Sequence, residues 1–283
     1  MESRSIKFRK TGETGETKEN RPLVSIVMSV YNPPPVYFRV ALESILSQTL
    51  EDWELIICDD HSCEKCNGYI KRIARADKRI TVIRNRVNSG LAVSLNKCIA
   101  HARGEYIARM DDDDISLPER LEKQVRFLQE HDNISWVGCN AGLIDKNDRW
   151  GGRKMPEAPE AKDFLSYCPF IHPSVMFRKS VFEKYGGYKK LRRGEDYEFF
   201  MRLQSAGLRG YNIQEELFMY REDAFSSRRR GYYYHIEEAG IRLRGFRDMD
   251  VLCPKNIVYV VKPMLAGLIS YKQRLKIKRM LGI

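Results

Sequence analysis

The chain lacks any apolar run long enough to span a bilayer. The best candidate, residues 257–270, is too short and is interrupted by Lys262 and Pro263. No apolar leader core lies in residues 1–20, which are polar and charged. Seven Cys is an odd number, and a secretory context is missing, so a disulfide framework is not expected. Reduced thiols and a cytoplasmic setting are the simplest expectation. Cys63-x-x-Cys66, with His61 and Cys58 nearby, has the spacing of half a zinc site. No second pair follows at metal-ligand spacing, and Cys58 reads as part of a buried strand, which argues against zinc. A charge surplus is also missing from most of the chain. From residue 221 onward fourteen Lys and Arg face six Asp and Glu, so that segment holds +8 of the formal +11 and the first 220 residues only +3. The basic excess is a C-terminal property and points to an anionic partner.

What the chain does have is apolar content of 43%, enough for a real core, and charged content of 31% over 283 residues, which suits one large domain with an appendage. It also has Asp111-Asp112-Asp113-Asp114. Four neighbouring carboxylates repel one another, by roughly 4 kcal/mol for one pair at about 4 Å and an effective dielectric near 20. They follow an apolar strand candidate, residues 106–110. They precede a helix start in which Ser116 and Glu119 have capping-box spacing and Pro118 falls in the first turn. A rigid strand-to-helix turn at the carboxyl edge of a sheet is where open α/β sheets bind ligands. Hard divalent cations take oxygen ligands and bridge carboxylates to phosphates, so the first reading is a metal-diphosphate site.

Residues 1–21 carry a Gly-Glu-Thr repeat with no apolar period and are expected to be a disordered tail. Strands are expected over 23–30, 53–58, 80–83 and 106–110. Helices are expected after the Pro33-Pro34-Pro35 loop, over 69–76, and from Asn88-Ser89-Gly90 onward. This β-α alternation predicts a largely parallel, helix-covered sheet. Tyr31-Asn32, Asp59-Asp60 and the four Asp all follow strands, so the topology brings them to one edge. Beyond residue 118 the pattern is less regular: a helix over 118–131, a strand over 134–138, a short helix over 158–167, a strand over 174–177 and a helix over 179–185 ending at Gly186-Gly187. Gly194-Glu195-Asp196 then opens a helix that ends at Gly207. Carboxylates in a first turn also have a plain electrostatic use, stabilising the helix dipole by roughly 0.3 to 1 kcal/mol.

The run Val24-Ser25-Ile26-Val27-Met28-Ser29-Val30-Tyr31-Asn32 resembles the opening of family-two glycosyltransferases with the GT-A fold. Asp59-Asp60-His61-Ser62, Asn88-x-Gly90, Asp111-x-Asp113-Asp114, His172-Pro173-Ser174-Val175-Met176 and Gly194-Glu195-Asp196 continue the match in order, over about residues 22–222. The resemblance implies a Rossmann-like α/β domain with a mixed, mostly parallel sheet, and it implies roles. Tyr31 would stack on uracil and Asp60 would hydrogen-bond it, with Ser29, Asn32, Asn88 and Gly90 around the nucleotide. Asp113 would be the main ligand of Mn²⁺ or Mg²⁺, Asp111 would lie near the ribose or metal, and Asp112 beside the donor. Asp196 would be the catalytic base, with Glu195 next to it. His172 would line the acceptor or metal site, or be a buried structural histidine. Two departures matter: Asp112 replaces the family's small residue inside D-x-D, and His61 stands where a Gly is usual.

The expectation is therefore three parts: the tail, a GT-A domain over 22–222, and a basic helical region over 223–283. In that last region Arg228-Arg229-Arg230 precede Tyr232-Tyr233-Tyr234, but no nucleic-acid-binding motif accompanies them, and no nucleic-acid partner is expected. An apolar stretch at 257–270 followed by Lys272, Arg274, Lys276, Lys278 and Arg279 suits an anionic membrane surface; packing on the domain is the alternative. The implied function is an inverting, metal-dependent transfer from a nucleotide sugar, a UDP-sugar, to a hydroxyl of a lipid-linked saccharide in surface polysaccharide assembly, on the inner face of the cell membrane. The alternatives are a polyprenyl-phosphate glycosyl transferase and a non-catalytic binding module.

Overall fold

The computed structural model describes residues 21–146, 148–222 and 232–267. Residues 1–20 of the expected tail, the Arg228-Arg229-Arg230 cluster and the cations from Lys272 to Arg279 lie outside the described residues. The first half alternates strictly: β1 (Val24–Val30), α1 (Pro35–Leu46), β2 (Trp53–Asp59), α2 (Glu64–Ala74), β3 (Ile80–Arg84), α3 (Leu91–His101) and β4 (Tyr106–Met110). The second half holds β5 (Ile115–Ser116), α4 (Arg120–Glu130), β6 (Trp136–Ile144), β7 (Arg149–Arg153), β8 (Met176–Arg178), α5 (Lys179–Tyr185), α6 (Glu195–Ser205), β9 (Gly210–Arg221), α7 (Tyr232–Asp248) and α8 (Ile257–Gly267).

All nine strands form one mixed sheet in the order β3-β2-β1-β4-β8-β6-β9-β5, with β7 paired to β6. β3, β2, β1 and β4 are parallel neighbours. β8 then joins them antiparallel to β4 through Tyr106, Ile107 and Ala108, and joins β6 antiparallel on its other side. Both faces are covered, which explains why β1 and β2 read as unbroken apolar runs. Val24, Ile26, Met28 and Val30 pack with Phe38, Leu42, Leu121, Val125 and Leu128 on one face. Val27, Ile56 and Cys58 pack with Leu95, Cys98, Phe199 and Phe200 on the other.

Several local expectations change. α2 begins at Glu64, not 69, because Asp59 organises the turn: its carboxylate accepts the Ser62 N–H at 2.8 Å and the Asn67 side chain at 2.5 Å. The capping box at Ser116 and Glu119 does not form. Ser116 lies in β5, and Gln48 does the capping instead: its Oε1 accepts the Leu121 N–H at 3.1 Å while its Nε2 donates to the Leu117 carbonyl at 2.8 Å. The helix expected over 158–167 is one 3-10 turn, Ala161–Leu165. His172–Ser174 is a second such turn, which delays the following strand to Met176. β6 runs on to Ile144, and its long partner β9 has no counterpart in the expected elements. The seven cysteines are free thiols.

α7 lies against α6. Ile241 and Phe246 are buried in the same cluster as Phe199 and Phe200. The approach is close: a Cβ at Gly245 would overlap the Met201 side chain. α8 contributes Val260 to that cluster and leaves Ile257, Val258, Val261 and Leu265 exposed.

Candidate active site

The parallel strands deliver three polar loops to one edge of the sheet. After β1 come Tyr31, with its ring 46% exposed, and Asn32, in the left-handed region at φ 49°. Asn32 is held on both sides: its N–H donates to Ser62 Oγ at 2.9 Å, and its Oδ1 accepts the Cys63 N–H at 2.9 Å. Ser29 sits one turn of pleat earlier, in register with Cys58. Asp60 is buried, and its carboxylate organises the third loop. Oδ1 accepts from Asn85 Nδ2 at 2.7 Å and from the Ser89 N–H at 2.8 Å; Oδ2 accepts the Gly90 N–H at 2.8 Å. Asn88 donates to the Asp60 carbonyl at 3.3 Å. An ionised carboxylate has about four lone-pair sites, so Oδ2 keeps one for an outside donor.

At the end of β4 the aspartates do not act alike. Asp111, Asp113 and Asp114 present oxygens that all lie within 4.8 Å of one another; Asp112 is not part of this group. The loop is tied down by the last residue of β9. The Arg221 N–H donates to Asp114 Oδ1 at 2.7 Å, and its Nε donates to the Asp113 carbonyl at 2.7 Å. Burial, and then the charges of Asp111 and Asp113, push the Asp114 carboxyl well above the usual carboxylate range; Asp112 is raised in the same way. Asp114 Oδ2 is buried without a hydrogen-bond partner. Three converging carboxylates, one with an orphaned oxygen, fit a hard divalent cation such as Mg²⁺ or Mn²⁺.

Arg109, on β4, supplies the counter-charge to Asp111. It is 3% exposed, and its Nη2 pairs with Asp111 Oδ1 at 2.6 Å. Its Nε and Nη1 are buried without hydrogen-bond partners. Burial pulls its pKa down, and the Asp111 carboxylate more than restores it. A buried guanidinium with two open donors marks a place where negative charge collects.

α6 opens at Gly194, whose φ of 74° lies in the left-handed region. Glu195 and Asp196 occupy the first turn. The Tyr197 N–H donates to Asp196 Oδ1 at 2.8 Å. Burial first, and the charge of Asp196 next, push the Glu195 carboxyl up to about 7. Burial also raises Asp196, while the Tyr197 N–H and then the Arg109 charge pull it back down. Asp111, Arg109, Glu195 and Asp196 line one cavity of about 480 Å³. His172 lines it too, buried, with Nε2 2.9 Å from the Tyr188 hydroxyl. Burial holds this imidazole well below its ordinary pKa, so it is neutral. The arrangement can place a polyanion at the metal-fitting edge, with a carboxylate in the same cavity to take a proton.

Arg109, Arg221 and Tyr188 were not among the candidate residues, and Asp114 was given no role of its own within the acidic run. Arg109 had a signal: a charge inside an otherwise apolar buried strand needs a partner. Asp114 had one as the last member of the acidic run. Arg221 and Tyr188 had none, because only the tertiary fold brings them to the site.

Comparison with known proteins agrees with this geometry. The family model for glycosyl transferase family 2 matches residues 25–193. EpsE of Bacillus subtilis (strain 168), designated a glycosyltransferase, is 39% identical over 248 residues, covering 86% of this chain and 88% of that one. The O-antigen biosynthesis glycosyltransferase WbnJ of Escherichia coli is 32% identical over 230 residues, covering 79% and 89%. Among solved structures, S. aureus TarS residues 1–349 in complex with UDP-GlcNAc superposes with a TM-score of 0.67 at 17% identity, covering 88% of this chain and 73% of that one. The mannosyltransferase PcManGT of Pyrobaculum calidifontis, in complex with GDP-Man and Mn²⁺, gives 0.60 at 16% identity, covering 91% and 79%. The fold is thus GT-A, and the chain is a glycosyltransferase that belongs to glycosyl transferase family 2.

Proposed function

We propose that the chain transfers a sugar, with inversion, from a UDP-sugar to a hydroxyl of a saccharide acceptor in surface polysaccharide assembly. The observation that carries this reading is the one cavity lined by Asp111, by the Glu195-Asp196 pair and by Arg109, which pairs with Asp111. Tyr31 offers its exposed ring to the base. Asp60 offers the remaining lone pair of Oδ2, from a carboxylate fixed by the 88–90 loop. Ser29, Asn32, Asn88 and Gly90 shape the nucleotide's bed, and Asp112 lies beside it. Asp113 and Asp111, joined by Asp114, would hold Mn²⁺ or Mg²⁺, which supplies a Lewis acid to neutralise the departing diphosphate.

Asp196 is the base. Its carboxylate lines the same cavity as Asp111, and in this reading it takes the proton of a hydroxyl attacking the face opposite the leaving group. In-line attack of that kind inverts the anomeric carbon. Glu195, raised to about 7 beside it, helps hold the acceptor hydroxyl. His172 stays neutral and braces the wall through Tyr188.

The lipid-linked acceptor and a peripheral position on the inner face of the cell membrane belong to the same reading. Among the described residues no helix is long and apolar enough to cross a membrane. α8 presents Ile257, Val258, Val261 and Leu265 outward, next in sequence to the cations from Lys272 to Arg279. The relatives' names support the polysaccharide setting, and the UDP-GlcNAc complex of TarS supports the donor class. The test is a panel of UDP- and GDP-sugars with Mn²⁺ or Mg²⁺, read by nucleotide release with and without chelator. Release from UDP-sugars that stops in chelator is the expected result. Release that persists in excess chelator overturns the metal role, and a preference for GDP-sugars overturns the donor.

A further inference from the structure

The family match ends at residue 193, yet the cavity does not. Its lining also takes in the segment after the 3-10 turn Ala161–Leu165 and residues of α7. Tyr167, Cys168, Arg193, Glu238 and Arg242 all line it. Two of these lie on α7, so the helix beyond the family match is part of the active-site enclosure.

α7 is fixed there by several independent contacts. A Cβ at Gly194, the cap of α6, would stand 3.2 Å from Ile241 Cδ1, so α7 packs directly on the turn that carries the base pair. Gly245 permits contact with Met201 one turn further along. Arg242 is 5% exposed and locks three segments together. Its Nη1 donates to the Leu165 carbonyl at 2.9 Å and the Tyr259 carbonyl at 3.3 Å, and its guanidinium lies 5.1 Å from the Tyr197 ring centre. It also holds Glu238 Oε1 through Nη2 at 2.9 Å and Nε at 3.1 Å.

Beside this frame, three further groups line the cavity. Tyr167 is 49% exposed. Glu238 lines the cavity with its carboxylate oriented by Arg242 through Oε1. Arg193 is exposed next to Glu195 and Asp196 and lowers the pKa of both through its charge. An aromatic face, an acceptor and a donor around one space match the chemistry of a pyranose. Its C–H face packs on a ring, and its hydroxyls both donate and accept.

We propose that Tyr167, Glu238 and Arg193 form the subsite for the acceptor, and that its occupant is the pyranose ring carrying the attacked hydroxyl. Tyr167 packs against the ring, Glu238 accepts from one of its hydroxyls, and Arg193 donates to another, which turns the reactive hydroxyl toward Asp196. The donor loops lie within the family match, as do Tyr167 and Arg193, whereas Glu238 and the Arg242 that orients it lie beyond it on α7, so acceptor choice draws on both α7 and the 167–168 segment. The inference rests on the proposed transfer to a saccharide.

The test separates the two. Full-length protein with UDP and Mn²⁺ is probed by saturation-transfer NMR with p-nitrophenyl β-glucoside, β-galactoside and β-N-acetylglucosaminide, and UDP affinity is measured in parallel by calorimetry. At least one glycoside is expected to receive saturation at its ring protons. Tyr167→Ala and Glu238→Gln are each expected to weaken that glycoside about three- to tenfold, the scale of one aromatic contact, while UDP affinity stays within about twofold. Glu238→Gln keeps the size of the side chain, so it remains informative if the tyrosine variant folds poorly. Unchanged glycoside binding in both variants overturns the subsite, as does no glycoside binding to the wild type. Failure of the wild type to bind UDP overturns the nucleotide-sugar reading instead.

Discussion

Arg109 faces two jobs at once, because one guanidinium lies within electrostatic reach of both Asp111 and Asp196. Asp196 must be ionised to accept a proton, and burial raises its pKa, so turnover is full above that pKa and falls as pH drops through it. Removing the positive charge leaves burial less opposed. Arg109→Met is therefore expected to move the acid limb of the pH–rate profile to higher pH, while Arg109→Lys leaves it nearer the wild type. A limb that stays put in both variants reduces Arg109 to packing. Asp196→Asn keeps the shape and cannot accept a proton; turnover is expected to fall roughly 10²- to 10⁴-fold, with UDP affinity by calorimetry little changed. Near-normal turnover would return Glu195 and Asp196 to stabilising the α6 dipole. The acidic loop offers a third comparison. Asp113→Ala is expected to remove the Mn²⁺ dependence of UDP binding, whereas Asp112→Ala, outside the converging oxygens, leaves it in place. Equal damage from both would shift the metal register by one residue.

At the level of elements, α7 behaves as a structural member of the catalytic half. Phe246 is fully buried beside the aromatic cluster of α6. Truncating such a ring typically costs about 3–5 kcal/mol, so Phe246→Ala is expected to lower the denaturant midpoint strongly at unchanged slope. A loss below about 1 kcal/mol, in the range of surface substitutions, would mean that α7 adds little to the core. The elements also divide by how readily the sequence reveals them. β1, β2 and β4 are buried on both faces, so their apolar runs stand out, and each ends in a polar cluster that the topology brings together. β9 hides because Gln214, Glu215 and Glu216 interrupt its pattern where the pairing with β6 shifts at Cys139 and Asn140. β7 is concealed by Gly151 and Gly152. α2 was placed late because Asp59 starts it through side-chain bonds that no periodicity records. In the site, Tyr31, Asp60 and the aspartate run were legible as strand ends, while Arg221 and Tyr188 reach the same edge only through long-range pairing.

For the molecule as a whole, the surface outside the cavity matters for where the chemistry happens. If α8 docks on an anionic leaflet, Val258→Glu with Leu265→Glu is expected to release the protein from anionic vesicles in co-sedimentation. Raising salt from 0.1 to 1 M should weaken the wild type, as the Debye length falls from about 10 Å to about 3 Å. Equal sedimentation of wild type and variant, or indifference to vesicle charge, would leave α8 as a packed helix only. The three-residue junction of β4 with β8 has a different consequence. The loops assigned to the donor all precede residue 115, and the groups assigned to the acceptor all follow residue 166. In recombination between homologous genes, a single crossover between those points would take the first set whole from one parent and the second set whole from the other. Shuffled offspring are expected to inherit nucleotide preference with the upstream parent and acceptor preference with the downstream one, so new linkages can arise in one genetic step without rebuilding either half.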